Sequence, residues 1–145
     1  MDFLRDGIIN IITRALLGPK GIASKRLKKV MIDKISENAQ YSYWYALYVL
    51  NGPFPAGERV LSESAHYSYF YALNILKTPF PAGEKVIARS GYYSYLYAQD
   101  VINGPFPAGE KVMSRCKGYS HNYLNFLESI NQQPSHPELF DLVEV

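Results

Sequence analysis

Small and apolar residues recur along this chain at helical spacing, and the spacing itself repeats. In the stretch VLSESAHYSYFYALNILKTPFPAGEK, from Val60 to Lys85, Ser68, Tyr71, Ala72, Ile75 and Leu76 follow the i, i+3, i+4 rule. The alternation in Tyr-Ser-Tyr also suits a strand of period 2, but the residues after it do not continue that period. The pattern predicts a helix over His66–Leu76 and another over Tyr92–Ile102. Gly104-Pro105 is expected to end the second, since glycine suits the residue after a helix and proline cannot continue one. A shorter helix is predicted from about Gly83 to Ser90, with Glu84 in its first turn, near the positive end of the helix dipole. Prolines on both sides of Phe80 and Phe106 predict a stiff extended connection that sets each phenylalanine, like Phe54, into the seam between neighbouring units.

These elements come in copies. Tyr-Ser-Tyr-x-Tyr-Ala starts at Tyr41, Tyr67 and Tyr93, with a decayed version at Tyr119, and Pro-Phe-Pro-Ala-Gly-Glu starts at Pro53, Pro79 and Pro105. The step is 26 residues each time, and a fixed period of this size marks stacked supersecondary units. The expected fold is all-α: a short right-handed α-solenoid of about four helix pairs over residues 34–130, behind a helical N-terminal cap over residues 1–33. Residues 131–145 read as a polar tail, loosely attached, with Leu139, Phe140, Leu142 and Val143 as anchors should it serve as a peptide ligand.

Comparison of the copies assigns the faces. At 100° per residue, Tyr67, Ser68, Tyr71, Ala72, Ile75 and Leu76 share one half-turn with Tyr69 at its edge, and these positions repeat. The positions that differ between copies fall opposite: Trp44/Phe70/Leu96, Leu47/Leu73/Gln99, Tyr48/Asn74/Asp100 and Asn51/Lys77/Asn103. The repeated face is therefore the stacking face. Trp44, Phe70 and Leu96 are left as candidates to meet a partner, or to pack on a neighbouring layer.

Composition bounds the function more than it names it. The chain has 145 residues, 48% hydrophobic and 19% charged, as in a folded globular protein. Fifteen basic and 13 acidic residues leave a net charge of +2, too balanced to make nucleic acid or an anionic membrane the default partner. A single cysteine, Cys116, excludes an intramolecular disulfide and suits a reducing cytoplasm. Residues 8–17 are apolar but interrupted by Asn10 and Arg14 and too short to span a bilayer, so neither a secretion signal nor a membrane helix is read there.

Candidate chemistry is thin. Glu58, Glu84 and Glu110 recur one unit apart, about 10 Å for packed helices, against the roughly 5–5.5 Å of a retaining glycosidase pair, and read as helix-capping residues. His66, His121 and His136 share no ligand spacing, so no metal site is predicted. Ser42, Ser68, Ser94 and Ser120 have no basic partner in sequence and read as packing residues. Cys116 stands in the column of Asn38, Ser64 and Ser90 as a small-residue replacement. Two sets of cations remain. Lys25, Arg26, Lys28 and Lys29 form a cluster suited to an acidic partner or to phosphates, and Arg59, Lys85 and Lys111 recur in one column.

The pattern Tyr-x-Tyr-Ala-x-x-Val-Leu-x-Gly-Pro-Phe-Pro-x-Gly-Glu, carried by Tyr43–Glu58, Tyr69–Glu84 and Tyr95–Glu110, resembles short helical tandem repeats in proteins of tailed bacteriophages and other large DNA viruses. The resemblance spans about residues 34–127. It implies a viral origin and a helical repeat, with no shared enzymatic activity and no cofactor. The expectation is a non-enzymatic interaction module that binds a host protein through Trp44, Phe70, Leu96, Arg59, Lys85 and Lys111, in the host cytoplasm. The alternatives are a nucleic-acid-binding regulator that uses the basic stretch Lys20–Lys34 and the Arg59/Lys85/Lys111 column, and an assembly component that associates with itself. No membrane partner is expected.

Overall fold

In the computed structural model, which describes Asp6, Gly7, Asn10 and residues 25–141, all regular structure is helical. The predicted cap over residues 1–33 lies largely outside the described residues, as do Lys20, Leu142 and Val143. The chain divides into two compact units, Met1–Leu61 and Ser62–Val145.

The N-terminal unit contains α1 (Lys25–Ser36), α2 (Ala39–Trp44, continued by a π-helical stretch Tyr45–Leu50), a 3-10 turn Pro55–Gly57, and α3 (Glu58–Leu61). Helix α2 packs between α1 and α3, burying Ile35, Tyr45, Ala46, Phe54, Val60 and Leu61. The C-terminal unit contains α4 (Ala65–Tyr71, continued by π-helical Ala72–Leu76), α5 (Pro81–Ile87), α6 (Gly91–Tyr97, continued by π-helical Ala98–Ile102), α7 (Pro107–Ser114), α8 (Lys117–Ser129) and a 3-10 turn Pro137–Leu139. In this unit α6 packs against both α4 and α8, while α5 packs on α7. Long helices therefore form one layer and short helices the other.

The sequence explains these elements. Helices α2, α4 and α6 start at a side-chain cap: Tyr41 N–H donates to Asn38 Oδ1 (3.0 Å), Tyr67 N–H to Ser64 Oγ (3.4 Å) and Tyr93 N–H to Ser90 Oγ (3.3 Å). The small-residue column is thus the N-cap column, and Cys116, which opens α8, makes no side-chain cap bond. Each short helix α5 and α7 begins with proline at its first turn, where the missing N–H has no helical partner to lose. The second proline of Pro-Phe-Pro thus opens the helix two residues before the predicted start.

The ends of the long helices differ from the expectation. The left-handed residue is not the glycine but the residue before it: Asn51 (φ 49°), Lys77 (φ 55°) and Asn103 (φ 52°). The next N–H then reaches back to the helix, Gly52 to Ala46 O (3.1 Å) and Gly104 to Ala98 O (3.1 Å), the same carbonyls that accept from Asn51 and Asn103 N–H at the π-helical end. This explains why Thr78 can replace the glycine in the second copy. The π-helical stretch accompanies Ala46, Ala72 and Ala98 and is absent from α8, where Leu124 stands in that column.

The predicted stacking face is buried in part: Ser68, Tyr71 and Ala72 are buried together with Tyr69, whereas Tyr67, Ile75 and Leu76 are half-buried and Tyr41 and Leu50 of the first copy are exposed. Ser42, Ser68, Ser94 and Ser120, with Ala46, Ala72 and Ala98, are wholly buried. Tyr71, Tyr97 and Tyr123 are also wholly buried. Phe80 meets Tyr71 edge-on (5.2 Å, 67°) and Phe106 meets Tyr97 edge-on (5.1 Å, 63°), so the ring of each phenylalanine packs on the tyrosine of its own copy, where a seam between neighbouring units was expected. The glycine of Pro-Phe-Pro-Ala-Gly-Glu has a packing reason as well. A Cβ on Gly109 would stand 2.5 Å from Ser94 Oγ and 2.6 Å from Phe106 Cδ1, and one on Gly57 would stand 2.6 Å from Ser42 Oγ. Serine on the long helix and glycine on the short one mark the closest approach of the two layers.

Candidate interaction surface

The repeated polar side chains face inward and bond one another. Ser42 Oγ donates to Ile35 O (2.9 Å) and Ser94 Oγ to Ile87 O (3.1 Å), holding each long helix to the helix before it. The Tyr97 hydroxyl accepts from Phe80 N–H (2.7 Å) and donates to Glu84 Oε1 (3.1 Å). Tyr123 repeats this one copy later, accepting from Phe106 N–H (3.0 Å) and donating to Glu110 Oε1 (2.8 Å). Burial is the main cause that pushes both phenols well above the ordinary tyrosine range, with the adjacent carboxylates adding to it. Tyr69 shifts the same way through burial and its 2.6 Å bond to Asp100. Glu84 and Glu110 sit in the first turns of α5 and α7, as expected of helix-capping residues, and they also anchor the neighbouring copy's tyrosine.

Glu110 goes further. Its carboxylate is wholly buried and also accepts from Ser135 N–H (2.7 Å), His136 N–H (2.8 Å) and His136 Nδ1 (2.8 Å). This clamps the tail, which was expected to be loosely attached. Phe140 is buried beside Tyr123 (5.7 Å), and Pro134 is buried as well. No motif in the sequence announces this contact, because two of its three donors are backbone N–H groups that any residue but proline supplies and the third is a lone histidine. Between α8 and the tail runs a groove of about 830 Å³, lined by Lys117, Ser120, His121, Leu124 and Phe140 among others. Ser120 Oγ is buried there without a hydrogen-bond partner.

The four long-helix columns that differ between copies lie outward, whereas the column Ile35/Leu61/Ile87/Met113 also differs and is buried. Tyr48, Asn74, Asp100, Asn51, Lys77, Asn103 and Gln99 are exposed, and Leu47 and Leu73 are half-buried. The proposed apolar stripe is only partly open. Phe70 and Leu96, in the C-terminal unit, are half-buried, and Phe70 packs edge-on against His66 (4.8 Å) and Tyr69 (4.9 Å). Trp44, in the N-terminal unit, is half-buried against Tyr41 (6.1 Å). Beside Phe70 a row of rings crosses the unit: His66 bonds Tyr93 (Nδ1 to OH, 2.9 Å), Tyr93 contacts Tyr92 (5.0 Å), and Tyr92 contacts Tyr119 (6.2 Å). Tyr92 is 48% exposed.

The cations also lie outward. Lys25, Arg26 and Lys29 are exposed on α1 and Lys28 is half-buried, with Leu27 and Val30 about half exposed among them. Lys34 on the same helix pairs with Glu37 (2.9 Å), whose hydrogen bond and charge raise the lysine's affinity for its proton. Arg59 is exposed in the N-terminal unit, and Lys85 and Lys111 are exposed on α5 and α7. The sequence reading passed over Arg89 and Arg115, exposed one turn beyond these lysines. Their spacing, four residues after Lys85 and Lys111, was the available signal.

Among the described residues no group of three or more His, Cys, Asp or Glu side chains is placed to hold a metal ion, and no helix is long and apolar enough to cross a membrane. No protein-family model, curated protein or solved structure matches the chain.

Proposed function

We propose that this chain is a non-enzymatic interaction module, a short α-solenoid of about four 26-residue units whose outward positions bind another protein. One observation carries the reading. The polar side chains that repeat, Ser94, Tyr97, Tyr123, Glu84 and Glu110, are engaged in bonds that hold the helices together. On the long helices, the columns Trp44/Phe70/Leu96, Leu47/Leu73/Gln99, Tyr48/Asn74/Asp100 and Asn51/Lys77/Asn103 change from copy to copy and are exposed or half-buried. A helix face that varies outward over bonded, repeated polar groups is suited to recognition, and a repeat surface is a general platform for it. The resemblance to repeats of phage and large-virus proteins supports a host protein in the infected cytoplasm as the target.

Pull-down from host lysate, with and without nuclease, tests this. The expected result is one protein retained after nuclease and lost with Phe70→Ala or with Lys85→Ala/Lys111→Ala. Capture that disappears with nuclease, or with Lys25→Ala/Arg26→Ala/Lys28→Ala/Lys29→Ala, would replace the reading with nucleic-acid binding. A mass that rises with concentration in the absence of any partner would replace it with self-assembly.

A further inference from the structure

We propose that the short-helix layer of the C-terminal unit is a docking face for an acidic protein segment, through Lys85, Arg89, Lys111 and Arg115. The inference rests on the interaction-module reading and supplies the chemistry of the partner. Helices α5 and α7 pack on one another. Each carries a glutamate in its first turn and two cations four residues apart at or just beyond its last turn. The charges separate by direction. Glu84 is turned to Tyr97, and Glu110 is wholly buried against Tyr123, Ser135 and His136. All four cations are exposed, and among the described residues none is in an ion pair. The helix dipole accounts for an acid in the first turn and cations in the last, but not for the direction of the acids: Glu84 is half-buried against Tyr97 and Glu110 is wholly buried. What remains outward is a two-by-two array of positive charge. Its members are four residues apart in sequence, each lysine in the last turn of its helix and each arginine just past the end, and packed helices lie about 8–10 Å apart.

The ground between the charges favours protein over nucleic acid. A dimple of about 270 Å³ beside Lys85 and Arg89 has Ala82 and Val86 in its wall, with Ser62 and Glu63 at its edge. It can seat a small aliphatic side chain. No aromatic ring lines it, so it lacks the stacking platform on which single-stranded nucleic acid is held. An acidic segment with an aliphatic anchor satisfies both parts: carboxylates at i and i+4 meet the cations of one helix, with the arginines able to bind in bidentate fashion, and the anchor fills the dimple.

The test is fluorescence anisotropy with the full chain and a labelled 20-residue peptide, five repeats of Glu-Glu-Leu-Glu, beside a single-stranded 20-nucleotide DNA. The Lys85→Ala/Arg89→Ala/Lys111→Ala/Arg115→Ala variant is expected to weaken peptide binding by about 30-fold, four partly screened contacts acting together. Lys25→Ala/Arg26→Ala/Lys28→Ala/Lys29→Ala removes the same charge and is expected to change binding less than about threefold. Should the quadruple variant lose its helical circular dichroism, Lys85→Gln/Lys111→Gln serves instead, with a loss of about fivefold. Equal losses in the two charge-matched variants would overturn the proposal in favour of net charge. Tighter binding of the DNA, lost with the same four residues, would overturn it in favour of phosphate. A wild-type chain that ignores the peptide but retains a host protein in the pull-down would sink this inference and leave the interaction-module reading standing.

Discussion

Two copies of one glutamate do different amounts of work, and the difference can be measured. Glu84 and Glu110 occupy equivalent positions, and each accepts a hydrogen bond from the next copy's tyrosine, at 3.1 Å and 2.8 Å. Only Glu110 binds the tail: Oε1 accepts from Ser135 N–H, and Oε2 accepts both His136 N–H and Nδ1, all within 2.8 Å. In Glu110→Gln one oxygen becomes an amide NH2 that faces the His136 donors, so two charge-assisted bonds are lost at about 1.5–3 kcal/mol each. Part of this is offset because a neutral amide is easier to bury than a carboxylate. Release of the tail would also expose Phe140, now 5% accessible, at roughly 1.5–3 kcal/mol. The net expectation is a loss of about 2–4 kcal/mol for Glu110→Gln, against about 1 kcal/mol for Glu84→Gln. Equilibrium denaturation followed by far-ultraviolet circular dichroism gives both values, and amide exchange locates the effect, since the Ser135 and His136 amides should lose protection in Glu110→Gln alone. Equal losses in the two variants, with those amides unchanged, would refute the clamp.

Three other perturbations test the packing. Gly109→Ala places a methyl 2.5 Å from Ser94 Oγ and should destabilise by about 1–2 kcal/mol in thermal or chemical unfolding, overpacking outweighing the gain in helix propensity. Gly118→Ala meets nothing within 4 Å and should stabilise by up to about 1 kcal/mol in the same assay. Cys116→Ser restores the hydroxyl that caps α4 and α6 and should add about 0.5–1 kcal/mol, with a new hydrogen bond to Tyr119 N–H. Raising the pH should destabilise the fold above about pH 10, the ordinary phenol range. There the unfolded state releases protons that Tyr69, Tyr97 and Tyr123 retain when folded, so stability present below that range is lost as pH rises through it. Absorbance at the phenolate band should show these tyrosines titrating together with unfolding.

What the sequence showed and what it hid divide along one physical line. Periodicity carries information about which side of a helix is buried, because burial acts on every turn alike. The inward assignment of Ser68, Tyr71 and Ala72 therefore held, as did the outward assignment of Asn74, Asp100 and Lys77. Helix ends were less legible, because Asn103 and Gly104 both tolerate the left-handed conformation and composition alone cannot say which adopts it. The N-cap column was visible as small residues, but its hydrogen bonds needed coordinates. The tail contact was invisible for a further reason. Glu110 looks identical to Glu58 and Glu84 in sequence, and the feature that distinguishes it is a pair of backbone amides supplied 25 and 26 residues later. The cationic face combines both cases. Lys85 and Lys111 were legible as a column, whereas the isolation of their charge depends on where Glu84 and Glu110 turn. A repeat thus advertises its scaffold in sequence, because the scaffold is what repeats. Its binding residues are defined by the directions of individual side chains, which no single period encodes.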